Sequence, residues 1–162
     1  MSVQLALYQP DIPQNTGAII RLCACFGARL HLIHPFGFAF SDKKLRRAGM
    51  DYVAHADITE HLSFSAFDAW RQSENRRLVL MTTGADLSVY APVFSPRDIL
   101  LLGRESAGVP GAVRETADLA VTLPMRPGLR SLNVALSAAL GLGEALRQTG
   151  GLPEAGKIGA EM

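Results

Sequence analysis

Short apolar runs alternate along this chain with stretches whose apolar positions recur every three to four residues. Gln4-Leu5-Ala6-Leu7-Tyr8 reads as a strand, and Pro10-Asp11-Ile12-Pro13 as a rigid turn behind it. Ile19, Ile20, Leu22, Cys23 and Phe26 then fall at helical spacing, with Asn15 or Thr16 placed to cap that helix and Gly27 to stop it. Leu30–Ile33 is a second strand, ended by Pro35 and Gly37. Ser41 or Asp42 caps a short basic helix reaching about Ala48, and Gly49 closes it. Phe64–Arg71 reads as a further helix and Leu78–Met81 as a strand. Asp98–Leu102 is a continuous apolar run of the kind covered on both faces, and Ala120–Leu123 is another strand. Asn133–Gln148 is the longest helix, followed by a Gly-rich tail expected to fray.

Strands alternating with helices predict an α/β fold, a mostly parallel sheet flanked by helices. The 162 residues suit one domain, taken as 1–150, with 151–162 as a flexible tail. In such sheets ligands bind beyond the carboxyl ends of the strands, so the loops after the strands are where chemistry is expected.

Composition narrows the picture without redirecting it. The chain is 48% apolar, an ordinary globular balance rather than a disordered one. No apolar run approaches the ~20 residues of a membrane-spanning helix, and no basic n-region with a long apolar stretch opens the sequence, so a soluble cytoplasmic protein is expected. Cys23 and Cys25 are two apart and would diverge on a helix, which argues for packing rather than a disulfide. The four histidines show no ligand spacing, and no metal is expected. A net charge of +1 excludes a protein that coats nucleic acid by bulk electrostatics. Lys43, Lys44, Arg46 and Arg47 nevertheless form a local basic patch, either a solvated helix face or a grip on phosphates.

Three loops after strands carry candidate chemistry. The first places Asn15 at a helix start and Arg21 among Ile19, Ile20, Leu22 and Cys23, where a buried guanidinium would need an anionic or carbonyl partner. Asn15 is equally well explained as an ordinary cap. The second, Gly103-Arg104-Glu105-Ser106-Ala107-Gly108, permits close backbone approach at its glycines and offers Glu105 as an acceptor. It is neither a dinucleotide fingerprint nor a phosphate loop, and a turn with a capping Glu would also account for it. The third runs from Leu123-Pro124 to Ser131-Leu132-Asn133, where Ser131 or Asn133 can cap the last helix. No nucleophile triad and no glycosidase-like carboxylate pair stands out.

In this order the three segments resemble the motifs of the SPOUT methyltransferases, the α/β-knotted enzymes that use S-adenosylmethionine. The stretches Pro10–Gly17, His34-Pro35-Phe36-Gly37-Phe38 and Asp42–Tyr52 are similar to the small tRNA wobble-position 2′-O-methyltransferases, and the resemblance spans Gln4 to Gln148. It implies a deep C-terminal trefoil knot, a homodimer with a composite active site, and methylation of the ribose 2′-hydroxyl of the wobble pyrimidine in tRNA. The alternatives are a knotted enzyme for ribosomal RNA or another tRNA position, or a non-catalytic RNA-binding module of the same fold. Two positions depart from the subfamily pattern: Arg104 stands where Pro is usual, and Ala135 where Ser is common.

The resemblance further implies that Arg21 lies near the reacting hydroxyl. A guanidinium is a poor base at neutral pH, so its expected role is to orient the hydroxyl or a phosphate and to stabilise developing charge. Asn15, Glu105, Ser131 and Asn133 would fix Arg21 and the ribose. Backbone groups around Met81, Gly103, Leu123 and Ser131 would hold the cofactor, and Lys43, Lys44, Arg46 and Arg47 would contact tRNA.

Overall fold

A computed structural model describes residues 1–39, 43, 45, 47 and 50–156. Its strands are β1 (Gln4–Tyr8), β2 (Leu30–Ile33), β3 (Ile58–His61), β4 (Arg77–Met81), β5 (Asp98–Leu102) and β6 (Leu119–Val121). They form one parallel sheet in the order β3-β2-β1-β5-β4-β6. β1, β2 and β5 are buried along their whole length, mostly apolar but with Gln4, His31 and Asp98 buried among them.

The helices are α1 (Pro13–Phe26), α2 (Phe64–Ser73), α3 (Gly111–Thr116) and α4 (Val134–Thr149), with a 3₁₀ turn over Met50–His55. One face of the sheet packs against α1 and α4 through Leu5, Leu7, Ile19, Ile20, Leu100 and Leu142. The other packs against α2 through Ala6, Leu80, Leu101 and Phe67. Gly141 lets α4 settle on the sheet, because a Cβ there would lie 2.5 Å from Met81 Sδ. Cys23 is buried and Cys25 exposed, so the two thiols do diverge.

Most expected elements are present within one or two residues. β3, α3 and the 3₁₀ turn were not read from the pattern. The expected capping of α1 by Asn15 or Thr16 is incorrect. The helix starts at Pro13, with Ile12 as N-cap and no side-chain cap, because proline supplies the helical φ and has no N–H to satisfy. Asn15 is thereby free to bond elsewhere. The boundary residues assigned to the basic helix (Ser41, Asp42, Ala48 and Gly49) lie outside the described residues. Residues 151–156 carry no helix or strand.

Candidate active site

Beyond the carboxyl ends of β4, β5 and β6 lies a cavity of about 440 Å³. Asn15, Met81, Gly103, Glu105, Leu123, Ser131 and Asn133 all line it, so seven residues proposed from four separated segments share one space. Leu102, Val109 and Val134 add apolar wall, and Thr82 and Thr83 add hydroxyls.

The loop after β5 doubles back tightly. Arg104 N–H donates to the Gly108 carbonyl at 3.0 Å, and Gly108 N–H donates to the Arg104 carbonyl at 2.8 Å. Gly108 has φ of +63°, and a Cβ on Gly103 would lie 2.6 Å from the Gly108 carbonyl carbon. Both glycines are therefore demanded by the backbone.

A directional chain of side-chain bonds ties the three loops together. Asn133 Oδ1 accepts from the backbone N–H of Ala135 at 2.8 Å and of Leu136 at 3.4 Å, capping α4. That orientation leaves Asn133 Nδ2 to donate to Asn15 Oδ1 at 2.9 Å. Asn15 Nδ2 in turn donates to Glu105 Oε1 at 3.4 Å. The cap predicted for Asn133 is thus present, and it also fixes the amide of Asn15. Ser131 lines the cavity without joining this chain.

Glu105 ends the chain against Asp11, whose backbone N–H donates to Glu105 Oε2 at 3.3 Å. The Ser106 hydroxyl donates to Asp11 Oδ2, and Arg104 Nε lies 3.7 Å from the same oxygen. Burial, reinforced by the adjacent Asp11 carboxyl, pushes Glu105 above the usual carboxylate range. Asp11 is held below that range, chiefly by its contact with Glu105, with Ser106 and Arg104 assisting. Asp11 was read from sequence only as a turn residue. Its position between two prolines, in a turn leading straight to Asn15, was the available signal.

Arg21 requires a correction. It is exposed, not buried, and its guanidinium lies 4.7 Å from the centroid of the Tyr52 ring. Its apolar neighbours in sequence point elsewhere, since at 100° per residue Ile19, Ile20 and Cys23 face the core and Arg21 does not. It does not line the cavity of its own chain. Of the basic patch, Lys43 and Arg47 are exposed, while Lys44 and Arg46 lie outside the described residues.

Residues 2–143 match the SpoU rRNA Methylase family. The chain belongs to that family. It is 57% identical over 148 residues to a tRNA (cytidine(34)-2′-O)-methyltransferase of Beijerinckia indica, covering 91% of this chain and 92% of the relative. A solved structure concerned with 2-OH methylation of C/U34 on tRNA superposes with a TM-score of 0.84 at 40% identity, covering 91% of this chain and 90% of that one. An AdoMet-bound rRNA methyltransferase of Sinorhizobium meliloti superposes with a TM-score of 0.82 at 26% identity, covering 90% of this chain and 56% of that one. The parallel sheet with its flanking helices is the fold of these SPOUT methyltransferases.

Proposed function

We propose that this chain is an S-adenosylmethionine-dependent methyltransferase acting on the ribose 2′-hydroxyl of the wobble pyrimidine in tRNA. The observation that carries the reading is the convergence of Asn15, Met81, Gly103, Glu105, Leu123, Ser131 and Asn133 on one cavity, in a chain so similar to tRNA (cytidine(34)-2′-O)-methyltransferases. The cavity fits the methyl donor on its own terms. Its volume lies within the range of small-ligand sites, its wall mixes apolar side chains with polar groups, and the Gly103–Gly108 turn keeps backbone groups free of side chains. Backbone groups around Met81, Gly103, Leu123 and Ser131 would hold the adenosine and methionine portions.

Dimerisation belongs to the same proposal. Leu136 and Leu140, four residues apart on α4, are 58% and 45% exposed, and Leu129 and Leu132 extend the apolar surface into the preceding loop. Arg21 lies outside its own chain's cavity, which favours a composite site in which each Arg21 serves the partner's cavity. The chain leaves β6 at one edge of the sheet and returns to pack α4 on β5, β1 and α1. That return is the path a threaded C-terminal helix needs, and the knot is proposed on it. Lys43 and Arg47 would contact the tRNA backbone in a cytoplasmic protein.

The test is to incubate the purified protein with labelled S-adenosylmethionine and bulk tRNA and to map the modified nucleoside. Label on the ribose of a wobble pyrimidine is expected. Label on a base, or at another position, would refute the assignment.

A further inference from the structure

Transfer of a methyl group to a ribose hydroxyl releases a proton, and the cavity must supply somewhere for it to go. Arg21 is a poor proton acceptor whichever chain supplies it to this cavity. Among the described residues that do line it, Arg104 and Glu105 are the ionisable ones, and of these Glu105 is the acceptor. We propose that Glu105 is a catalytic residue that accepts the 2′-hydroxyl proton, and that Asp11 is the positioning residue that holds it for that role. This rests on the ribose-methylation reading above.

The geometry suits the task. Glu105 is half-buried, and the two bonds it accepts, from Asn15 Nδ2 at 3.4 Å and from Asp11 N–H at 3.3 Å, are both long. They fix the carboxyl group without saturating its lone pairs. Asp11 is anchored by Ser106 and faces Arg104, so it keeps its charge while its neighbour takes the proton. The ionisable group facing Glu105 is Asp11, from the turn before α1, and Arg104 on the same loop as Glu105 faces Asp11. The neutral amide of Asn15 approaches from α1. Burial first, and the neighbouring Asp11 carboxyl second, disfavour the charged form of Glu105, which makes it a stronger base than a free carboxylate.

In the step itself the ribose 2′-oxygen forms a bond to the methyl carbon. The sulfur–methyl bond breaks, and its electron pair stays on sulfur, leaving a neutral thioether. The hydroxyl proton passes to Glu105, and from there to solvent once the methylated RNA departs. Charge balances: one sulfonium and one carboxylate become a thioether and a carboxylic acid.

Single-turnover transfer to tRNA, measured from about pH 5 to pH 9 with Glu105→Gln, Asp11→Asn and the unaltered protein, tests this. Glu105→Gln is expected to lower the rate by about 100-fold or more and to remove the acid limb of the profile. Asp11→Asn is expected to move that limb to lower pH, because Glu105 loses the neighbouring charge that raises it. Glu105→Gln within threefold of the unaltered protein at every pH would overturn the proposal, and so would an acid limb unmoved by Asp11→Asn. If Glu105→Gln does not fold, judged by thermal unfolding, Asp11→Asn decides alone. An unaltered protein that transfers no methyl group to ribose would instead refute the underlying reading.

Discussion

Replacing Gly103 with alanine adds one methyl group at the point where the loop after β5 closes on itself. The new Cβ would lie 2.6, 2.7 and 3.0 Å from the carbonyl carbon, Cα and carbonyl oxygen of Gly108. Comfortable carbon contacts are roughly 3.5–4.0 Å, so backbone must retreat by about 1 Å, with no rotamer to absorb the clash. Holding the loop in place would cost about 1–3 kcal/mol by overpacking. Releasing it instead would break the paired bonds between Arg104 and Gly108, at about 1 kcal/mol each. Either route costs about 2 kcal/mol, a roughly 30-fold loss of affinity for a ligand that needs the native loop. Titration calorimetry with S-adenosylmethionine should show this weakening, with thermal unfolding confirming a folded protein. Gly111→Ala is the control, because its Cβ meets nothing within 4 Å. Unchanged affinity in Gly103→Ala would refute both the packing argument and the placement of the cofactor.

Three further outcomes follow from the same geometry. His31 is fully buried between His61 Nε2 at 2.9 Å and Gln4 Oε1 at 2.8 Å, and burial pulls it from 6.5 down to about 3. The unfolded chain therefore binds a proton that the folded one refuses, and stability is lost as pH falls below 6.5. His31 alone should remove about 2 kcal/mol between about pH 6.5 and 4.5, read as a falling urea midpoint, and a His31→Gln variant should show a flatter pH slope. Asn133→Ala should cost about 1 kcal/mol as a lost cap, roughly 2–4 °C in melting temperature. It should also lower the transfer rate, because Asn15 loses its partner; a normal rate would count against the bonded chain of side chains. Arg21→Ala and Glu105→Gln should each be inactive alone. Mixed and allowed to exchange subunits, they should regain about a quarter of normal activity if each Arg21 serves the partner's cavity, and none if it serves its own.

The sequence announced the centre of the sheet better than its margins. β1, β2 and β5 are buried on both faces, and their short, predominantly apolar runs leave little choice. β3 was missed because Ile58-Thr59-Glu60-His61 sits at the sheet edge with only His61 buried, so its pattern is mostly polar. α3 is six residues long and has no side-chain cap to announce it. At the site, Asn133 was legible because caps are local. The partnership of Asn15 with Glu105 and Asn133 was not, since it joins residues about ninety and more positions apart. Arg21 misled for the opposite reason: its neighbours along the chain are apolar, but a helix turns them away from it. Asp11 gained meaning only when the fold brought Glu105 against it.

The order of strands in the sheet also sets an order of events during synthesis. β1 is made well before one of its two neighbours, β5, with which it pairs from Gln4↔Ile99 to Leu7↔Leu102. At ordinary translation rates that partner is made roughly 5–20 s later, and α4, which covers the same face, later still. Until then β1, every residue of which is buried in the finished fold, has β2 on one side and an open edge on the other. The interval places this small protein's greatest exposure to misassociation at the ribosome, and codon changes that slow translation between β2 and β5 would lengthen it.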